Sequence, residues 1–181
     1  MSVEFAILGL LSWKQMSGYD IKKVIAESDI FYWSGNNNQV YNSLVALNRA
    51  GFVTQEVQYQ ESLPAKKLYS ITVKGRAALR DWLHTTPELP ELRNTFLVQL
   101  AWADVLSGEE LDTLLGQYEE EIAIQVRMRT KRASADQQQA PDRTPRERYL
   151  WEQITRHQAA GYQNELEWVR DLRAGLRERF S

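Results

Sequence analysis

The chain has 181 residues, 43% of them hydrophobic, with a net charge of −2 and no cysteine. That composition excludes wholesale disorder, disulfides and thiolate chemistry, and nothing in it argues for export to an oxidising compartment. No run of ~18 apolar residues is present, as a membrane span would need, and Met1-Ser2-Val3-Glu4 lacks the basic flank of a signal peptide, so a soluble, cytoplasmic protein is expected.

Charge is unevenly spread. Residues 1–86 hold nine Lys+Arg against seven Asp+Glu, whereas residues 87–181 hold thirteen against seventeen. A mildly basic front and an acidic back suit a binding module joined to a different second module. Val3 to Leu11 is apolar nearly all round and predicts a buried first helix. Ser17-Gly18-Tyr19-Asp20 has the spacing of a capping box, so a second helix starts near Ser17 and turns Ile21, Val24 and Ile25 inward. Phe31-Tyr32-Trp33 forms an aromatic connector, after which Asn36 or Asn37 suits the cap of a third helix.

That third helix lies between Gly35 and Gly51. Val40, Leu44 and Leu47 are spaced i, i+4, i+7, one face for docking on a core, and Gly51 suits the left-handed position that ends a helix. The positions taken as outward, Asn38, Gln39, Tyr41, Asn42 and Ser43, carry hydrogen-bonding groups. No acidic residue occurs from Phe31 to Gln55. Next come two β-prone runs, Phe52 to Gln58 and Lys67 to Ile71, expected to form an antiparallel hairpin with a polar tip from Tyr59 to Lys66. Thr72 caps a fourth helix bearing Ala77, Ala78, Leu79, Trp82 and Leu83. Three helices, a hairpin and a further helix are the order of a winged helix-turn-helix domain.

Five spaced motifs in this stretch are similar to those of PadR-like transcriptional regulators: Ala6-Ile-Leu-Gly-Leu-Leu11, Ser17-Gly-Tyr-Asp-Ile21, Gln39-Val-Tyr41 with Leu44 and Leu47, Gly51-Phe52-Val53, and Lys67-Leu-Tyr-Ser-Ile-Thr72 with Gly75, Leu79 and Trp82-Leu83. The resemblance covers about the first 85 residues and continues more loosely to Trp102. It departs from the family at Asn42, where members often carry proline, and at Val45 and Ala46, where they are more basic. The resemblance implies a dimeric DNA-binding regulator, and often one that senses phenolic or other aromatic compounds.

Pro87 and Pro90 mark a hinge, which divides the chain into residues 1–86 and 87–181. Glu91 to Leu106 predicts a helix with Leu92, Phe96, Leu100, Ala103 and Leu106 inward. Ser107-Gly-Glu-Glu110 is a second capping box, opening a long helix with Leu111, Leu115, Tyr118, Ile122 and Val126 along one side. Ser134 to Pro145 has no apolar periodicity and is expected to be a loop. Thr144-Pro145-Arg146-Glu147 then starts a last helix, whose stripe Tyr162, Leu166, Val169, Leu172, Leu176 and Phe180 has the spacing of a helix–helix seam and is assigned to homodimerisation. The expected fold is thus mainly α with a small β-hairpin: an N-terminal winged helix-turn-helix domain and a C-terminal helical, antiparallel or coiled-coil-like dimerisation domain.

Catalytic chemistry finds little support. His84 and His157 are the only histidines, and there is no HExxH motif or glycine-rich phosphate loop, nor ligand spacing for a metal, so neither an enzyme nor a cofactor is expected. Double-stranded DNA is the expected partner. The second helix of a helix-turn-helix unit enters the major groove, which makes Asn38, Gln39, Asn42 and Ser43 the candidate base readers, with Tyr41 against sugar or phosphate. Lys66 and Lys67 of the hairpin and Lys74 of the fourth helix are candidates for phosphate contact, with Lys22 and Lys23 of the second helix behind them. Trp33, Trp82 and Trp102 fall around the connector and hinge, where an aromatic effector would bind, with Arg156 and His157 as partners for an acidic group. The function expected is a sequence-specific regulator, a repressor released by a small aromatic or phenolic effector. The alternative is a winged helix acting as a protein-interaction module without operator binding.

Overall fold

The computed structural model describes residues 3–28, 38–60, 63–90, 94–139 and 143–180, and their side chains apart from those of residues 59–60, 63–65 and 131–139. The backbone falls into two compact units, Met1–Leu89 and Pro90–Ser181.

The first unit runs α1 (Val3–Trp13), β1 (Met16–Ser17), α2 (Gly18–Glu27), α3 (Asn38–Arg49), β2 (Val53–Gln60), β3 (Leu63–Ile71) and α4 (Val73–Leu83). Helix α1 is apolar around most of its circumference because it is the centre of the core: Val3, Ile7, Leu8, Leu10 and Leu11 are all buried. They pack with Ile21 and Ile25 of α2, Val40, Leu44 and Leu47 of α3, and Val53 and Tyr69 of the sheet. Each fully buried Leu or Ile contributes roughly 1.5–3 kcal/mol relative to an exposed one. The aromatic pair Phe5 and Trp82 stacks at 4.6 Å between centroids, with α4 supplying the second ring.

Caps set the helix boundaries. Ser17 Oγ accepts from the Asp20 N–H at 3.1 Å and donates to Asp20 Oδ2 at 2.6 Å. Its expected reciprocal partner, the carboxylate, therefore binds the hydroxyl itself. Gly51 ends α3 with φ +72, the left-handed conformation glycine adopts without strain. Thr72 caps α4 by accepting from the Gly75 N–H at 3.0 Å and donates to the Gly51 and Phe52 carbonyls. The expected cap at Asn36 or Asn37 and the connector Phe31-Tyr32-Trp33 lie outside the described residues.

The sheet differs from expectation in two ways. It has three strands in the order β1-β3-β2, all antiparallel, because Met16 and Ser17 pair with Tyr69 and Leu68. The hairpin is also longer. Strands β2 and β3 occupy most of the stretch from Tyr59 to Lys66 that was expected to be a polar tip. Pro64 falls where the register shifts between Gln58 and Gln60, a place where a missing N–H is tolerated.

The second unit comprises α5 (Thr95–Ala101), a 3₁₀ turn (Ala103–Val105), α6 (Gly108–Gln139) and α7 (Pro145–Phe180). The helix expected from Glu91 to Leu106 is shorter because Asn94 caps it, its side chain accepting from the Phe96 and Leu97 N–H groups, and because α-helical geometry ends at Trp102. Leu92 lies outside the described residues. In α6 the capping box forms, with the Ser107 N–H donating to Glu110 Oε2 at 2.8 Å and the Glu110 N–H to Ser107 Oγ at 3.3 Å. Part of the expected loop is helical, since α6 continues to Gln139. Ala and Gln favour helix, and no breaker intervenes before Pro141. Thr144 caps α7, accepting from the Glu147 N–H at 3.2 Å.

Helices α6 and α7 enclose a core of Leu115, Ile122, Leu166 and Val169, with Phe96 of α5 inserted beside them. Phe96 stacks on Tyr118 at 3.6 Å and meets Trp168 edge-on at 6.1 Å. Tyr118 donates to Glu165 at 2.7 Å, and burial is the main reason its phenol is pushed up to about 12. On the flank, Arg173 bridges Asp112 and Glu119, while Arg177 joins Asp112 and Arg170 joins Glu119. Hydrogen bonds from these guanidinium groups hold both carboxyls below their usual range.

Gly75 provides a check on the first unit's packing. A β-carbon there would lie 2.1 Å from the Phe52 carbonyl oxygen, whereas one at Gly9 meets nothing within 4 Å. Gly75→Ala is expected to lose about 1–3 kcal/mol of stability in urea titration, and Gly9→Ala to gain roughly 0.5–1 kcal/mol by helix propensity.

Candidate nucleic-acid interface

The outward face of α3 follows from what its inward face buries. Val40, Leu44 and Leu47 are buried, leaving Asn38, Gln39, Tyr41 and Asn42 exposed at the helix start. Ser43 is a correction: it is only 8% exposed, one turn from Val40 and beside Leu44, so it belongs to the buried face and not among the base readers. Val45, by contrast, is 48% exposed. Asn38, Asn42, Val45 and Arg49 then form one outward row at helical spacing, two amides, an apolar group and one cation. Amides match the donor and acceptor of adenine N6 and N7, and a branched apolar group matches a thymine methyl. Helix α3 contains no carboxylate to repel phosphate.

Tyr41 is held by a contact that its own helix does not reveal. Gly18, the first residue of α2, is buried, and a β-carbon there would lie 2.9 Å from Tyr41 Cε1 and 3.3 Å from Leu44 Cδ1. The missing side chain lets the Tyr41 ring lie against the start of α2 while remaining 44% exposed. Tyr69 lies nearby with its hydroxyl donating to Gln55 Oε1 at 3.3 Å. Burial first, and Tyr41 second, raise its phenol above the ordinary tyrosine range.

The three candidate phosphate-binding lysines differ in their surroundings. Lys66 Nζ lies 3.1 Å from Asp20 Oδ2. Lys74 Nζ donates to the Ala50 carbonyl at 2.8 Å and sits 5.1 Å from the centre of the Phe52 ring, so it secures the end of α3. Lys67 is exposed. On α2, Lys23 faces Glu27 at 4.0 Å and Lys22 is half-buried. The Asp20 carboxyl is depressed by its hydrogen bond from Ser17 and then by Lys66.

The remaining candidates are divided between the two units. Trp33 lies outside the described residues. Trp82 is stacked on Phe5 within the first unit. In the second unit Trp102 is 74% exposed, Arg156 is paired with Glu152 at 3.0 Å, and His157 is exposed. The stripe assigned to dimerisation packs in part within its own chain. Leu166 and Val169 are buried against α6 of the same chain, Tyr162, Leu172 and Leu176 are packed around them, and Phe180 is left exposed. Exposed apolar residues of this unit also lie along α5 and the 3₁₀ turn, at Leu97, Val98, Trp102 and Val105, and on α7, at Tyr149, Leu150 and Ile154. Among the described residues no helix is long and apolar enough to cross a membrane, and no cluster of three or more His, Cys, Asp or Glu could hold a metal.

A model of the transcriptional regulator PadR-like family matches residues 7–81, a stretch that holds α2, α3 and the wing. Over those residues the chain is similar to that family. The negative transcriptional regulator PadR of Bacillus subtilis is 34% identical over 113 residues, which is 62% of this chain and 62% of that protein's length. The solved structure of B. subtilis PadR in complex with operator DNA superposes with a TM-score of 0.82 at 25% identity, covering 96% of this chain and 98% of that one. The same B. subtilis protein has been solved with p-coumaric acid. The Vibrio cholerae virulence activator AphA superposes with a TM-score of 0.70 at 26% identity, covering 98% and 99%. The chain therefore shares the fold of these solved structures, helical second unit included.

The Gly18–Tyr41 contact has a direct test. Gly18→Ala is expected to destabilise the protein by about 1–3 kcal/mol through overpacking, and most of that loss should vanish when Tyr41→Ala is also present. A double-mutant cycle by chemical denaturation measures the coupling; additive losses would place the strain elsewhere.

Proposed function

We propose that this protein is a cytoplasmic, sequence-specific DNA-binding transcriptional regulator, acting as a repressor and without enzymatic activity. The observation that carries the reading is the outward row of α3, two amides, Val45 and Arg49 with no carboxylate, held on a helix-turn-helix by a buried apolar face. The operator complex of its B. subtilis structural relative supports duplex DNA as the partner, and that relative's designation as a negative regulator supports repression.

In this mechanism a homodimer sets two α3 helices in successive major grooves, roughly one turn or ~34 Å apart. The exposed apolar residues of α5 and the 3₁₀ turn supply surface for pairing two copies through the second unit. Asn38, Gln39 and Asn42 read base edges, Tyr41 meets the backbone, and Lys67 neutralises a phosphate. A small aromatic or phenolic acid, the class that B. subtilis PadR binds as p-coumaric acid, would release the operator by binding the DNA-free state more tightly.

Binding to the duplex upstream of the protein's own gene, titrated with salt, tests this. Lys67→Ala should weaken binding to all sequences alike and reduce the salt slope by about 1.8, the value for two phosphates, one from each protomer of the dimer. Asn42→Ala should leave the slope unchanged while losing about 1–3 kcal/mol of discrimination. Absence of any salt slope, with no preference for the upstream duplex, would instead favour a winged helix that binds proteins.

A further inference from the structure

We infer that Asp20 masks Lys66, keeping one of the wing's two adjacent lysines on the protein's own surface and so limiting sequence-independent attraction to DNA. The inference rests on the DNA-binding reading and concerns how that surface is tuned. Lys66 Nζ lies 3.1 Å from Asp20 Oδ2. What distinguishes this pair from an ordinary surface pair is that the carboxylate is fixed in advance. Ser17 donates its hydroxyl to the same Oδ2 at 2.6 Å, and the Asp20 N–H returns a bond to Ser17 Oγ at 3.1 Å. Ser17 is itself buried and paired in β1 opposite Leu68 of β3, two residues along the strand from Lys66. The same short strand pairing thus places both the carboxylate and the lysine. By contrast Lys23 and Glu27, a neighbour pair on α2, stand 4.0 Å apart with both side chains more than half exposed.

Consecutive strand residues point to opposite faces, so Lys67 does not share this environment and remains exposed. Asp20 therefore acts on one wing lysine and leaves the other. Phosphate contacts raise affinity for every sequence equally, whereas the amides of α3 separate one sequence from another. A restrained Lys66 lowers the common part of the affinity and leaves the discriminating part, which widens the ratio between operator and bulk DNA. Asp20 is in this sense a positioning residue that acts through Lys66.

The test compares the full-length wild type, Asp20→Asn, Lys66→Gln and the double variant. Asparagine keeps an oxygen to accept the Ser17 hydroxyl. Fluorescence anisotropy against the upstream duplex and a scrambled duplex, over a range of salt, should show Asp20→Asn steepening the salt slope by about 1.8 on both, one phosphate per protomer of the dimer, and reducing the ratio between them. In the Lys66→Gln chain, Asp20→Asn should leave the slope unchanged. An equal steepening with and without Lys66 would show that Asp20 acts only as a general repulsive charge and would overturn the inference, as would no change in Asp20→Asn. Without DNA, amine acylation followed by mass spectrometry should label Lys66 more slowly than Lys67 in the wild type, with the difference lost in Asp20→Asn; equal rates in the wild type contradict the mask. If no variant binds DNA in a salt-dependent way, the regulator reading fails and the mask with it, even with the labelling contrast intact. Binding that ignores Asp20 removes the mask alone.

Discussion

Burial of Val40, Leu44 and Leu47 against α1 and α2 decides which side of α3 meets solvent, and the candidate interface depends on that choice. A helix has one face for each set of positions at 3.6-residue spacing, so fixing three apolar side chains in the core fixes the direction of every amide around them. Helix α1 makes this possible by being apolar nearly all round, which lets α2, α3, α4 and the sheet share one small core. The polar groups are then displayed by a rigid element, which is what base readout requires.

The elements that follow constrain the ends of that helix. Gly51 stops α3 in the left-handed conformation, and Thr72 binds the Gly51 and Phe52 carbonyls across the start of the wing. Lys74 adds a charged donor at the Ala50 carbonyl. At the other side of the unit, Gly18 leaves room for the Tyr41 ring, while Ser17 and Asp20 engage the wing through β1 and Lys66. The motif Ser17-Gly18-Tyr19-Asp20 therefore does more than begin a helix: it sets an aromatic group on α3 and a lysine on β3.

Much of this was legible in the sequence because it was local. Capping residues, apolar periodicity and the glycine stop act over three or four residues, and they located α2, α4, α6 and α7. Ser43 misled because a polar side chain occupied a slot of the buried face, one turn from Val40. The roles of Gly18, Asp20 and Lys74 were not legible, since each depends on a partner brought close only by the fold. The hairpin was underestimated because Pro64 signals a turn, whereas the local register shift accommodates it. In the second unit, the stripe from Tyr162 to Leu176 had the spacing of a seam, and spacing alone does not say whether the partner helix belongs to the same chain. Within the chain its centre, Leu166 and Val169, packs on α6, reinforced by the Arg173 ion pairs.

The account turns on whether the exposed row of α3 reads DNA sequence. Selection of the full-length protein on random-sequence duplexes, at a salt concentration where binding persists, tests this most directly. Enrichment of paired, inverted half-sites about 10 base pairs apart, with a fixed adenine or thymine pattern in each half, is the predicted outcome. Bound duplexes with no enrichment over the starting pool would contradict it.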